Sequence, residues 1–234
     1  MGGLIPQAST FAASVDSLFI VVLIVTGIAF VLVEGILVYF LIRYRHRQGQ
    51  KASYVHGNRQ LELAWTVGTG IAFFSLALYQ YNTWTQIKIA LPEESNAALV
   101  GIASNQFEWQ ATYPGADGEL CTPDDIHPPV RVLHFPVDRP VLIRLKSEDV
   151  IHSFFVPALR VKQDAVPGLT FEFWFQATQT GEYELACAEL CGLGHYRMRA
   201  PVIVESQADF DAWLAEQTRA ESEHEYCQVA PLSP

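Results

Sequence analysis

The chain has 234 residues, half of them hydrophobic, and a formal net charge of −10 from 15 basic and 25 acidic side chains. That balance argues against a nucleic-acid partner, because phosphate binding rests on clustered Lys and Arg. The charge is divided unevenly: residues 1–87 carry five basic and three acidic groups, whereas residues 88–234 carry 10 basic and 22 acidic, a net of −12. An acidic domain of this kind draws in basic partners at low salt.

Taken in chain order, residues 1–14 form a short uncharged N-terminal segment, expected to be extracytoplasmic, before the first long apolar run, Val15 to Ile42, which stops abruptly at Arg43, Arg45 and Arg47. A second run extends from Leu61 to Tyr81 and ends in Tyr79, Tyr81 and Trp84, aromatics suited to a membrane interface. A spanning helix needs about 20 apolar residues, so helices over 15–42 and 61–81 are predicted, making 15–87 a transmembrane hairpin. All five basic residues of this part, Arg43, Arg45, Arg47, Lys51 and Arg59, lie between the two runs. The positive-inside tendency makes that loop cytoplasmic and both ends of the hairpin extracytoplasmic. A cleavable signal peptide is the competing reading. It fits poorly, because the run is too long and the basic residues follow it instead of preceding it.

Two carboxylates accompany these helices. Glu34 precedes Arg43 by nine residues, or about 13 Å of helix. A bare carboxylate at that depth is costly, which predicts a neighbouring integral subunit facing it. Glu62 opens the second helix, where the positive end of the helix dipole suffices to explain it.

From Lys88 to Glu205 the pattern changes to short strands punctuated by Pro, Gly and Asp. PVRVLHFPV, PVLIRLKS, LTFEFWFQAT, GEYELACA and APVIVES show period-two apolar placement or a β-branched and aromatic bias. About 115 residues of this kind predict one antiparallel sandwich or barrel. GEYELACAEL would deliver Cys187 to its tip, APVIVES would leave that tip, and His152 would reach it from the end of VLIRLKSEDV. Within 206–234, Phe210, Trp213 and Leu214 have helical spacing, and a loose tail follows.

The most informative segment is CAELCGLGHYRM, which places Cys187, Cys191, His195 and Met198 on one short loop. With His152 upstream, the inventory is two thiols, two imidazoles and one thioether. Thiolate and thioether favour copper, and a His/Cys site with a distant Met is a mark of electron-transfer copper. A single ion of that type uses one Cys and leaves the second unexplained. If both thiolates bridge two coppers, each ion receives two sulfurs, one imidazole and one axial group. Met198 and the main-chain carbonyl of Glu189 supply the axial positions. A Cys187–Cys191 disulfide is the first alternative, and a Cys2His2 zinc site is the second. Familiar zinc spacings have shorter Cys gaps and no role for Met. Cys121 and Cys227 lack His or Met at comparable spacing and read as free thiols or a surface disulfide.

The hairpin, the segment EDVIHSFFVPALRVKQDAVPG and the loop CAELCGLGHYRM together resemble subunit II of the haem-copper cytochrome c oxidases along nearly the whole chain. The resemblance implies a cupredoxin-like sandwich and a binuclear copper centre held by His152, Cys187, the carbonyl of Glu189, Cys191, His195 and Met198. It also implies a magnesium ion reached by the Glu189 side chain at the border with subunit I. LELAWT is similar to the family's entry to the second helix, which makes Glu62 the mouth of a proton path. The implied activity is electron transfer from cytochrome c to haem in subunit I, where oxygen is reduced, within the cell (inner) membrane. One departure stands out. In NQFEWQATYPGADG, Phe107 occupies a position where the family commonly has the Trp that receives the electron, while Trp109 remains. A quinol-oxidase subunit or a membrane-tethered copper carrier are the alternatives. The first has no use for the ligand set, and the second favours a Met-rich or Cys-rich site, whereas this chain has two Met.

Overall fold

The computed structural model describes residues 5–54, 56–128 and 132–217. Among them the chain divides into two units, one spanning Ser14–Trp84 and the other joining the N-terminal segment up to Ala13 with the chain from Thr85 onward.

The first unit holds two helices, α1 (Ala12–Arg43) and α2 (Arg59–Lys88). Both are long and apolar enough to cross a membrane. Each runs beyond its apolar stretch, α2 by seven residues past Tyr81, because hydropathy marks the width of a membrane and not the end of a hydrogen-bonded helix. Asn58 caps α2: its Oδ1 accepts from the backbone N–H of Gln60 and Leu61, both at 3.1 Å. Glu62 follows in the first turn, where its charge complements the helix dipole. Within α1 the Thr26 hydroxyl donates back to the Val22 carbonyl at 2.8 Å, so it presents no unpaired donor on an otherwise apolar helix.

The second unit is a two-sheet sandwich closed by one helix. Its strands are β1 (Ala98–Asn105), β2 (Glu108–Thr112), β3 (Leu133–Pro136), β4 (Pro140–Ser147), β5 (His152–Val156), β6 (Val161–Ala165), β7 (Phe171–Gln176), β8 (Gly181–Cys187) and β9 (Arg199–Glu205). They form a four-stranded sheet in the order β2-β1-β4-β7 and a five-stranded sheet in the order β3-β9-β8-β5-β6. The sheets are mixed and not wholly antiparallel as expected, since β1 runs parallel to β4 and β3 parallel to β9.

Inward-facing side chains of both sheets, among them Val100, Ile102, Trp109, Phe135, Ile143, Phe154 and Phe175, make one core that continues into Cys187, Cys191 and Met198. The outer face of the four-stranded sheet is also covered. Ala97, Leu99, Ala103 and Leu142 pack there under Leu120, which arrives from the loop after β2. The helix α3 (Gln207–Glu216) is capped by Ser206, whose hydroxyl accepts from the Asp209 N–H at 3.1 Å. Its Phe210 is buried, and Trp213 stacks on His134 with ring centroids 3.9 Å apart.

The N-terminal segment belongs to this unit. Ala8 N–H donates to the Ala158 carbonyl and Thr10 N–H to that of Gln176, while Phe11 meets Trp174 edge-on. Chain on either side of the hairpin therefore folds into the same sandwich. A segment removed as a signal peptide would take these contacts with it.

Candidate metal centre

The ligand loop is held by strands at both ends. β8 brings in Cys187, whose N–H donates to the Met198 carbonyl at 3.0 Å, and Ala188 N–H donates to Ser153 on β5 at 3.0 Å. The return passes through a 3-10 turn, His195–Arg197, before β9. His152 opens β5 instead of ending β4, the expected location, because residues 148–151 form the connection between them.

These elements bring all six ligand candidates to one end of the sandwich. The sulfurs of Cys187 and Cys191 are 3.8 Å apart, and both thiols are free. A disulfide needs about 2.05 Å between sulfurs, so that alternative is set aside. Each sulfur has its own imidazole. His152 Nδ1 lies 3.9 Å from Cys187 Sγ, and His195 Nδ1 lies 3.7 Å from Cys191 Sγ. Met198 Sδ is 3.8 Å from Cys191 Sγ, and the Glu189 carbonyl oxygen is 3.2 Å from Cys187 Sγ. The donor atoms of His152, Cys187 and Cys191 lie within 4.8 Å of one another. His152, Cys187, Cys191 and Met198 are buried, His195 is partly exposed, and the Glu189 side chain points to solvent.

The local electrostatics favour one negative charge on the thiol pair. Burial pushes the Cys187 thiol up, but its contacts with the His152 imidazole, the Glu189 and Ser153 backbone and His195 together more than reverse this and bring it to about 6. Burial and the charge of Cys187 together push Cys191 up to about 11. A soft cation between the sulfurs would remove that repulsion. Sulfur, imidazole and thioether donors in this arrangement suit copper better than zinc or a hard ion.

Sequence reading did not anticipate the groups that orient the ligands. Asp149 Oδ1 accepts from His152 Nε2 at 2.8 Å, leaving Nδ1 directed at the sulfur. The other carboxylate oxygen of Asp149 accepts the Gln106 N–H at 2.7 Å, and the Gln106 side chain donates to the Cys191 carbonyl. The β1–β2 turn is thereby joined to both halves of the site. The spacing of an acid three residues before the His was the available signal.

Of the two aromatics proposed for electron entry, Trp109 is 1% exposed and sits under the site, edge-on to His152 with centroids 6.1 Å apart. Phe107 is partly exposed and packs on the ligand loop. Glu62 and Glu34 lie in the helical unit. Arg160 donates to the carbonyls of Pro6 and Ile5, and Asp164 accepts from Ser153 and Lys162, each at 2.7 Å. Cys121 is disulfide-bonded, and Cys227 lies outside the described residues.

Fold and site define a membrane-rooted β-sandwich protein with a copper-type donor cluster at the tip of the sandwich. Family models agree: cytochrome c oxidase subunit II, transmembrane domain, matches residues 2–83, and the periplasmic domain of the same subunit matches 125–207. The alternative cytochrome c oxidase subunit 2 of Bradyrhizobium diazoefficiens is 36% identical, over 82% of this chain and 76% of that protein. Cytochrome c oxidase subunit 2 of Synechocystis is 30% identical over 94% and 78%. The crystal structure of the periplasmic domain of subunit II of cytochrome oxidase from Bradyrhizobium japonicum is 27% identical, covers 55% of this chain and 96% of that one, and has a TM-score of 0.48. The chain belongs to the subunit II family of the haem-copper cytochrome c oxidases, the electron-transfer subunit of the terminal oxidase.

Proposed function

We propose that this subunit takes electrons from a c-type cytochrome at a binuclear copper centre and delivers them to haem in subunit I, where oxygen is reduced to water. The observation that carries the reading is the pairing of each free thiol with a separate imidazole, His152 with Cys187 and His195 with Cys191. A mononuclear site would leave one such pair without a metal. Copper held by Cys187, Cys191, His152, His195 and Met198 would supply a one-electron couple. The chain's own contribution is to hold the donors still. His152 is fixed by Asp149 and the loop by Gln106 and the β8–β9 backbone, so little rearrangement accompanies a change of charge.

Phe107 on the protein surface and Trp109, buried against His152, are the entry points for the electron. In this reading the exposed Glu189 carboxylate holds a magnesium ion facing subunit I, and Glu62 collects protons at the cytoplasmic end of α2. The sandwich faces the extracytoplasmic side of the cell (inner) membrane, with the basic loop between the helices in the cytoplasm. The quinol-oxidase alternative leaves two thiols, two imidazoles and a buried thioether without purpose. Electron paramagnetic resonance of the purified complex tests the reading: a seven-line copper hyperfine pattern is expected. A four-line pattern, or no copper beyond that of subunit I, rejects it.

A further inference from the structure

The chain has four cysteines, and the metal centre uses two of them. Cys187 and Cys191 are free thiols, whereas Cys121 is disulfide-bonded. Within the chain Cys121 has three conceivable partners, and two of these are the free ligand thiols. The one that remains is Cys227.

Cys121 is set up for a bond made outside the core. Its backbone has a φ of +75°, a left-handed conformation that favours glycine, and its side chain is exposed. Packing therefore does not account for a cysteine at this position. The loop that carries it is held firmly. Cys121 N–H donates to Asp125 Oδ2 at 2.8 Å, Asp124 Oδ2 accepts the Ala116 N–H at 2.7 Å, and Leu120 is buried on the outer face of the four-stranded sheet.

A cleft of about 430 Å³ lies beside this loop. Pro114 and Gly118 line one side, and Phe210 and Leu214 of α3 line the other. α3 ends at Glu216, so the chain runs on from one wall, while Cys121 follows Gly118 by three residues at the other. The 11 residues from Glu216 to Cys227 can span up to about 36 Å when extended, so reach does not prevent a crossing. Charge does not favour one. Glu94, Asp117 and Asp211 line the cleft, Arg139 is already engaged by the Ala97 carbonyl at 2.9 Å, and the tail carries Glu221, Glu223 and Glu225. A covalent link is what would hold an acidic tail over an acidic cleft.

We propose that Cys121 and Cys227 form a clasp that fastens residues 218–226 across this cleft and keeps both spare thiols from pairing with Cys187 or Cys191. In forming the bond the two thiols lose two protons and two electrons to the disulfide of an extracytoplasmic thiol oxidant, which is released as a dithiol. The sandwich then lies in an oxidising compartment. The protective role rests on the reading of Cys187 and Cys191 as copper ligands, and the clasp itself does not.

The test uses the purified oxidase complex. Alkylation without reduction, followed by digestion and mass spectrometry, is expected to yield a peptide pair linking Cys121 to Cys227. An alkylated Cys121, or Cys121 joined to another protein, overturns the clasp. Trypsin cleavage after Arg219, followed on quenched and reduced samples, reads the position of the tail. Cys121→Ser/Cys227→Ser is expected to be cut there about tenfold faster than wild type, and equal rates overturn the crossing. Cys227→Ser alone leaves Cys121 unpaired and is expected to lose about half of its copper, through bonds to a ligand thiol made during folding. The double variant is expected to recover it. Full copper in Cys227→Ser, or equal loss in the single and double variants, overturns the protective role. If the wild-type chain shows the linked peptide but no copper beyond that of subunit I, the copper reading falls and the clasp stands.

Discussion

Asp149 and His152 are joined across the back of the metal centre: the carboxylate accepts from Nε2 at 2.8 Å, so the opposite nitrogen, Nδ1, is the one aimed at Cys187. The pair fixes both the tautomer and the angle of the ring. The hydrogen bond from His152 and the N–H groups of Val150 and Gln106 overcome the upward push of burial and hold the Asp149 carboxyl below its ordinary range. Asp149→Ala frees the ring, and copper affinity is expected to fall by about 10–100-fold. Asp149→Asn keeps the hydrogen-bond shape and is expected to lose less. Competition against a copper chelator measures both, and equal affinity in wild type and Asp149→Ala would remove the orienting role.

Much of this arrangement was legible in the sequence because membrane width and metal chemistry each leave a local signature. The apolar runs before Arg43 and Trp84 gave two helices, and CAELCGLGHYRM gave five of the six ligand candidates on one stretch. β1 escaped notice for a physical reason: both faces are covered, by the main core and by Leu120 with Leu142, so ALVGIASN shows no alternation. β6, VKQDA, is a polar edge strand paired on one side only, and its composition does not separate it from loop. The N-terminal segment was unreadable as part of the sandwich because its contacts, Ala8 with Ala158 and Thr10 with Gln176, join residues about 150 positions apart. Parallel pairing of β1 with β4 was hidden likewise, since strand direction is set by tertiary contacts.

Copper loading should release protons. Before metal binds, Cys187 is held low by His152 and Cys191 high by burial and the neighbouring charge, so near neutral pH the pair carries a single thiolate. Bridging two ions requires both sulfurs deprotonated. Uptake is therefore expected to strengthen as pH rises and to fail as pH drops through about 6, where Cys187 also takes a proton. Calorimetric titration with copper in two buffers of different ionisation enthalpy reads the released protons directly. A heat independent of buffer at pH 7 contradicts the shared-thiolate arrangement.

Asp164 links stability to acid. Its hydrogen bonds from Lys162 and then Ser153 hold the carboxyl below the ordinary range. The folded form thus binds its proton more weakly than the unfolded form. The stabilisation is complete above the unfolded carboxylate value and is lost as pH falls through the folded one. Because the Asp164 side chain is half exposed, 48%, the contribution is modest, under about 1 kcal/mol. Asp164→Asn is expected to lower Tm slightly at neutral pH and to converge on wild type in acid. A gap that persists unchanged in acid argues against the ion pair.

Tyr113 ties the sandwich to α3. Its hydroxyl donates to the His134 carbonyl at 3.1 Å and accepts the His134 N–H at 2.9 Å, while the ring packs against Phe210 and Trp213. Burial raises the phenol above its ordinary range, so it stays protonated at any working pH. Tyr113→Phe keeps the packing but leaves a partly buried N–H without its acceptor, for a loss of about 1–3 kcal/mol. Denaturant melts of the membrane-extracted chain measure this, and a loss confined to high pH contradicts a neutral hydroxyl.

Gly194 and Phe107 form the tightest steric pair at the metal loop. A methyl group on Gly194 would sit 2.4 Å from Cδ2 and 2.5 Å from Cγ of the ring, and these atoms lie at its root, where rotation gives no relief. The backbone of Gly194 has an ordinary negative φ, so the demand for glycine here is one of space alone. Gly194→Ala is expected to push the loop off Phe107, displace His195 from Cys191, and reduce copper occupancy at unchanged expression. Phe107→Ala opens the space from the other side. The double variant Phe107→Ala/Gly194→Ala should therefore recover copper lost by Gly194→Ala, a coupling of the kind expected between residues in direct contact. Copper content and the paramagnetic spectrum of the three variants measure it. Additive losses in the double variant would mean that the ring does not set the position of the loop.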